Sequence, residues 1–388
     1  MTRRGAIIVL DGLGIGEAHD SAAYGDTGSN TLGNVLSRAP GISLPNLTKF
    51  GLGNCAPIPI LPSSQPLAAT GTAQPSSAGK DSTTGHWELC GVVLEQPFPT
   101  YPQGFPREVV EEFTRRTGRG VLGNHAASGT AVIDRYGSEH QASGKWIVYT
   151  SADSVFQIAA HEETVPLQEL YAASAIAREI LRPPHGVSRV IARPFHGLPG
   201  AYARTPNRKD FSLPPAGRTL LDEAEAAGIP RLGVGKVDDL FAGRGITSTH
   251  TATNADAYRL IREGLLADGW GLLLANVIEF DQSWGHRNDV PGFLAGLEEL
   301  DRALPGLLEG AQAEDLIIFT ADHGNDPTTP STDHAREQVP VLVYGPRVRA
   351  VSVGERQTFA DIGQTVAEFL GVAPLAAGTS FLREVWGG

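Results

Sequence analysis

The sequence has little sulfur: two cysteines, Cys55 and Cys90, and one methionine in 388 residues. Two thiols cannot build a disulfide framework, and they fit a reducing compartment. Positive charge is also scarce. There are 31 Lys and Arg against 43 Asp and Glu, a formal net charge of −12. Non-specific nucleic-acid binding rests on basic surface, so an acidic chain of this kind is a poor candidate for it. Any anion site must instead be a local concentration of cations or metal. No apolar stretch approaches the length of a membrane span. The opening Met1-Thr2-Arg3-Arg4 and the apolar run to Leu10 have the order of a signal peptide. However, the run is short, Asp11 ends it, and no small-residue cleavage site follows closely. It reads as a first core strand, and the chain as cytoplasmic.

Hydrophobic content is 41%, ample for a buried core, and the length favours two domains. Stretches 6–10, 146–150, 187–192, 231–234, 271–278, 315–320 and 341–344 read as strands. Stretches 31–38, 45–50, 167–181, 219–227, 255–267, 293–308 and 359–370 read as helices, with Pro305 marking a kink or break. Strands alternating with helices give an α/β class, a doubly wound and mostly parallel sheet. Pro-rich segments at 97–106 and 213–217 read as linkers. They set off an inserted α/β domain at 97–216 from a discontinuous core, 1–96 and 217–388.

Three core strands deliver ligand-type residues just past their carboxyl ends. The first delivers Asp11, the strand 271–278 delivers Asp281 and His286, and the strand 315–320 delivers Asp322 and His323. His334 follows in the next loop. Each alone reads as a turn or cap residue. Their convergence on the edge where open α/β sheets bind ligands makes a constellation. Carboxylates with imidazoles and no thiolate suit Mn²⁺ or Zn²⁺ better than a Cys-type structural zinc. Two such ions could clamp both oxygens of an in-line phosphoryl transfer.

The segment from Ser77 to Glu88 contains Gly79-Lys80-Asp81-Ser82-Thr83-Thr84. It fails as a phosphate loop, because Gln74 stands where Gly is required and Asp81 where Ser or Thr is. It reads as a Ser/Thr cluster opening a helix, either a phosphate-binding hydroxyl or a simple N-cap. Gly12-Leu13-Gly14-Ile15-Gly16 has the wrong spacing for a dinucleotide fingerprint, and it reads as backbone passing close to the ligand edge.

Five stretches together resemble the bacterial phosphopentomutases of the alkaline phosphatase superfamily. They are Asp11 with Gly14-Ile15-Gly16-Glu17, Gly79 to Glu88, Thr150-Ser151-Ala152-Asp153-Ser154, Phe280-Asp281 with Gly285-His286-Arg287, and Thr320 to Pro327 with Thr332-Asp333-His334. They span nearly the whole chain in order. The resemblance implies a doubly wound core with an inserted cap and two Mn²⁺ ions. One ion falls to Asp11, Asp322 and His323, the other to Asp281, His286 and His334. The phosphorylated nucleophile falls on Ser82, where the family generally has Thr; Ser keeps the hydroxyl, with Thr83 and Thr84 beside it. Arg189, Arg204 and Lys236 match groups that hold the distal phosphate, and Ser151 and Asp153 match groups near the sugar. The implied reaction interconverts ribose 1- and 5-phosphates, and the 2-deoxyribose equivalents, through phosphoserine and a 1,5-bisphosphate. A sugar bisphosphate primes it. The implied partners are small pentose phosphates, with no nucleic acid, membrane or obligate protein partner. A phosphatase on the same scaffold, or a non-catalytic sugar-phosphate binder, are the rival readings.

Overall fold

The computed structural model describes residues 3–151 and 154–387. It divides into two compact units, Met1–Pro97 with Pro215–Gly388, and Phe98–Pro214.

The first unit is built on an eight-stranded sheet. Its strands are β1 (Arg4–Leu10), β2 (Ala69–Ala73), β9 (Arg231–Val234), β10 (Ser248–Thr249), β11 (Leu272–Val277), β12 (Asp315–Thr320), β13 (Val339–Tyr344) and β14 (Ser352–Arg356). The order is β10-β9-β11-β1-β12-β13-β2-β14. Strand β1 lies parallel between β11 and β12, and β13 alone runs against the others. β1, β11 and β12 are buried along their whole length, as continuous apolar runs require when both faces are covered. Helices do cover both faces. Gly5 packs on Val366 of the helix Ala360–Leu370. Leu273, one residue past the partner of Gly5 and so on the opposite face, meets Gly264 of the helix Asn254–Leu266.

The helix Val290–Glu309 runs through Pro305 without breaking. Proline removes the donor to the Asp301 carbonyl, and Asn46 Nδ2 supplies a replacement at 2.9 Å. The Asp301 carboxylate in turn accepts from Leu47 N at 2.8 Å, near the start of the helix Pro45–Phe50. The helix thus continues past Pro305, and the carbonyl it leaves free is satisfied by a side chain from a distant segment.

The second unit holds a six-stranded sheet of β3 (Val121–Ala126), β4 (Trp146–Thr150), β5 (Val155–His161), β6 (Arg189–His196), β7 (Ala203–Arg204) and β8 (Lys209–Ser212). On one face Trp146, Phe156 and Ile158 pack with Phe113 of Arg107–Thr117 and Leu170 of Leu167–Ile180. On the other, Ile147, Tyr149 and Phe195 pack with Val132 and Ile133 of Gly129–Ser143.

Candidate metal centre and nucleophile

The carboxyl-terminal edge of the first sheet gathers all six candidate ligands. Asp11 directly follows β1, Asp322 and His323 follow β12, and Asp281 and His286 lie in tight helical turns after β11. Because β13 is reversed, the segment leading into it, with His334, arrives at the same edge. One donor atom from each of Asp281, His286 and His334 lies within 4.8 Å of the others, and the same holds for Asp11, Asp281 and His323. The ring of His334 links the sets, its centroid 4.2 Å from that of His323 and 4.7 Å from that of His286.

Each carboxylate is anchored by one oxygen. Asn276 Nδ2 donates to Asp11 Oδ2 at 2.8 Å, Gly12 N to Asp322 Oδ1 at 3.2 Å, and Asn325 Nδ2 to Asp281 Oδ1 at 2.7 Å. The imidazoles are fixed in the same manner. His286 Nδ1 donates to Thr332 O at 2.6 Å and His323 Nδ1 to Gly324 O at 3.0 Å, so both turn Nε2 inward. Asp11 Oδ1 and Asp322 Oδ2 are buried and accept no hydrogen bond of proper geometry. Imidazole nitrogens nevertheless face them: His323 Nε2 is 3.3 Å from Asp11 Oδ1 and 3.5 Å from Asp322 Oδ2, and His86 Nδ1 is 3.0 Å from Asp322 Oδ2. Buried carboxylates this close together need cations between them. The donor set therefore fits hard or borderline divalent ions.

Electrostatics agree. Burial, then the charges of Asp322 and Asp281, push the Asp11 carboxyl above its ordinary range. Burial disfavours charge on His286, but its hydrogen bond to Asp281 and the charge there outweigh this and raise it to about 9. In the metal-free protein that raised value means protonated His286 stabilises the fold below about pH 6.5, a contribution lost as pH climbs through about 9. Metal needs the same nitrogen unprotonated. We therefore expect metal binding at pH 7.5 to release protons and to tighten as pH rises from 6.5 to 9. Calorimetry in buffers of different ionisation heat measures this directly, and binding without proton release would contradict it.

Ser82 opens the helix Ser82–Leu89. The N-cap is Asp81, whose side chain accepts from Thr84 N at 3.1 Å, so Ser82 is not the capping residue. Its Oγ instead lies 3.1 Å from His323 Nε2. Thr84 Oγ1 is engaged by Asp81 at 2.6 Å.

Several residues that sequence reasoning did not single out complete the site. Asn276 interrupts an apolar strand, and that break was its signal. Asn325 and His86 lie inside quoted motifs without an assigned role. The charged pair Arg336-Glu337 stands just before the buried strand β13. Glu337 fills the space beside Gly14, where a Cβ would come within 2.2 Å of its Oε2, which accounts for the glycine at that position. The Arg336 guanidinium donates to the carbonyls of Pro75, Ser77 and Gly79, at 3.0, 2.6 and 2.5 Å, and to both oxygens of Asp20. It holds the loop that leads to Ser82. Arg336→Ala leaves the buried Ser77 carbonyl and the part-buried carbonyls of Pro75 and Gly79 unpaired and should cost about 2–4 kcal/mol in a urea titration. A loss under about 1 kcal/mol would show that the loop is held by other contacts.

The substrate-binding candidates fall in different places. Arg189 and Arg204 lie on strands β6 and β7 of the second unit, and Ser151 directly follows β4. Lys236 belongs to the first unit and donates to Gln282 Oε1. Asp153 lies outside the described residues.

Residues 3–374 match the Metalloenzyme superfamily. A phosphopentomutase of Caldanaerobacter subterraneus subsp. tengcongensis is 52% identical over 388 residues, covering 99% of this chain and 98% of that one. The phosphopentomutase of Anaeromyxobacter sp. strain K is 55% identical over 390 residues, covering 99% and 100%. The chain belongs to the phosphopentomutase family. The PH0037 protein of Pyrococcus horikoshii, 17% identical, superposes with a TM-score of 0.51 over 96% of this chain and 98% of its own. At that identity the likeness speaks for the fold, the mixed α/β architecture described above. Superfamily membership and the clustered donors together mark the chain as a binder of divalent metal.

Proposed function

We propose that Ser82 is the phosphorylated nucleophile of an isomerase that interconverts the 1- and 5-phosphates of ribose and 2-deoxyribose. The contact of Ser82 Oγ with His323 Nε2, amid the six ligands, is the observation that carries this assignment. We assign two Mn²⁺ ions, one to Asp11, Asp322 and His323 and the other to Asp281, His286 and His334. Such ions, when bound, supply positive charge that favours ionisation of a hydroxyl and offsets charge on a transferring phosphoryl group.

The chain's residues then act as follows. Phosphorylated Ser82 transfers its phosphoryl group to the 1-hydroxyl of ribose 5-phosphate: the O1–P bond forms as the Ser82 Oγ–P bond breaks, and the proton lost by the hydroxyl is made good on the departing Ser82 Oγ. The 1,5-bisphosphate turns over, its 5-phosphoryl returns to Ser82 Oγ, and ribose 1-phosphate leaves. Arg189, Arg204 and Lys236 take the non-reacting phosphate, and Ser151 and Asp153 take the sugar. Planar guanidinium forks suit phosphate oxygens, so an otherwise acidic protein can still select an anion. A sugar bisphosphate loads Ser82 at the outset. The chain works in the cytoplasm without nucleic-acid, membrane or obligate protein partners; among the described residues no helix is long and apolar enough to cross a membrane.

The deciding experiment incubates the protein with ribose 1-phosphate and Mn²⁺ in ¹⁸O-labelled water. Ribose 5-phosphate is expected as the main product, with little labelled phosphate. Labelled free phosphate in place of the isomer would replace this reading with a phosphatase.

A further inference from the structure

Two partly or wholly buried arginines of this chain have opposite surroundings. Arg336 is 3% exposed, and its guanidinium is matched to backbone carbonyls and to Asp20. It is a structural arginine with its donors used. Arg193, on β6 and half-buried, makes one hydrogen bond among the described residues, from Nε to the neutral Gln157 Oε1 at 3.1 Å. Among the described residues it has no ion pair.

Its neighbours deepen the contrast. Along β6, Arg189 and Arg193 share one sheet face with Tyr149 and Gln157, which pair across β4 and β5, and with Asp210 on β8. Asp210 is the one carboxylate among the described residues that makes ion pairs within this group, with Arg208 at 2.6 Å and Arg189 at 3.8 Å. Arg189 Nε is buried without a hydrogen-bond partner, and the Tyr149 hydroxyl, on a residue 1% exposed, has no hydrogen bond of proper geometry although Arg193 lies beside it. Gly129 leaves room for Arg204: a Cβ there would fall 2.0 Å from Arg204 Nη2 and 2.6 Å from the Tyr149 hydroxyl oxygen. The guanidinium of Arg204 is thus brought up to Tyr149. Burial first, then the charges of Arg208 and Arg204, lower Arg193 to about 10, while the charge of Asp210 on the same face opposes them only in part. A partly desolvated cation facing other cations destabilises a fold unless something anionic joins it.

We propose that Arg193 and the Tyr149 hydroxyl form the floor of a phosphate subsite on the insert, enlarging the pair Arg189 and Arg204 with a cation that has no ion pair among the described residues. The inference rests on reading the insert as the part that takes the non-reacting phosphate. The ligand class is a phosphate dianion, free or carried on a pentose. Such a group accepts from several guanidinium N–H groups and from a phenol at once, which no residue now beside Arg193 does.

The inference predicts effects in opposite directions. Arg193→Met keeps the bulk and removes the cation. The full-length variant without ligand should melt no lower than the unmodified protein, while its KM for ribose 5-phosphate rises at least about tenfold, the loss expected for one charge-assisted hydrogen-bonding group. Tyr149→Phe removes only a hydroxyl and should raise KM by a smaller factor. Inorganic phosphate, added with the metals chelated, should raise the melting temperature of the unmodified protein more than that of Arg193→Met. A variant that melts several degrees lower with unchanged KM would make Arg193 structural and overturn the inference. So would equal protection of both proteins by phosphate. The phosphate arm does not depend on turnover: if the unmodified protein forms no isomer yet its protection needs Arg193, the subsite stands and the isomerase reading falls.

Discussion

Ser82→Ala is expected to lower turnover by at least about a thousandfold, while leaving metal content and melting temperature close to those of the unmodified protein. Removal of one hydroxyl takes away no packing. Asp81 caps the helix whether or not Ser82 carries oxygen, so the backbone of the Ser82–Leu89 turn keeps its geometry. Loss of the contact to His323 costs little, because His323 is fixed from its other nitrogen by Gly324. A chemical defect without a structural one is therefore the expected signature. Ser82→Thr should restore a substantial part of the rate, since it returns the hydroxyl. Peptide mapping of enzyme labelled with ³²P from a sugar bisphosphate should place the label on Ser82. Label on Thr83 or Thr84 would move the nucleophile. The structure argues against Thr84, whose hydroxyl is already committed to Asp81.

Removal of the Asp281 carboxylate has the second large effect. Asp281 contributes to both donor groups, and His286 Nε2 and His334 Nε2 stand 3.3 and 3.4 Å from its oxygens. Burial raises its pKa, but the charges and hydrogen bonds of His334 and His286 hold its carboxyl well below the usual range. Asp281→Ala should lower bound metal by about one ion per chain and turnover by at least about a thousandfold. Inductively coupled plasma spectrometry of dialysed protein gives the stoichiometry. His334→Ala should lose a similar amount of metal. A full complement of ions in both variants would refute the ligand assignment. Asn325→Ala offers a milder comparison, because it frees Asp281 without deleting it and should weaken metal by about 10–100-fold.

Much of this centre was legible in the sequence because buried parallel strands announce themselves. AIIVL, LLLANV and DLIIFT are apolar runs that end in acidic residues, and the edge they share follows from their direction. What was harder to see has physical reasons. Strand β2, Ala-Thr-Gly-Thr-Ala, is fully buried yet built of small residues, so no hydropathy pattern reveals it. The helices Arg107–Thr117 and Gly129–Ser143 lie within a stretch that was read only as an insert. Pro305 carries a helix-breaking signal that Asn46 cancels from about 250 residues away, a compensation no local pattern can contain. Asn276 and Asn325 orient ligands through single hydrogen bonds and His86 stands 3.0 Å from Asp322, and one polar residue has no periodicity. Arg193 shows the converse. As a sequence position it is an ordinary strand arginine, and only the sheet register places it beside Tyr149, Gln157 and other cations.

The position of β1 also matters for how the chain is made. Gly5 pairs with Leu272 on one side and Leu316 on the other. Strand β1 thus leaves the ribosome more than 250 residues before either of its neighbours. At about 5–20 residues per second, its apolar run waits tens of seconds with both hydrogen-bonding edges open. The second unit, by contrast, has all its strands within one continuous segment and can collapse in the meantime. The nascent protein should therefore pass through a stage with a folded middle and an unpaired start, when trigger factor-like holdases have most to protect. A C-terminal truncation before β12 would prolong that stage indefinitely, and its product should aggregate through the first ten residues and not accumulate as a partly active core.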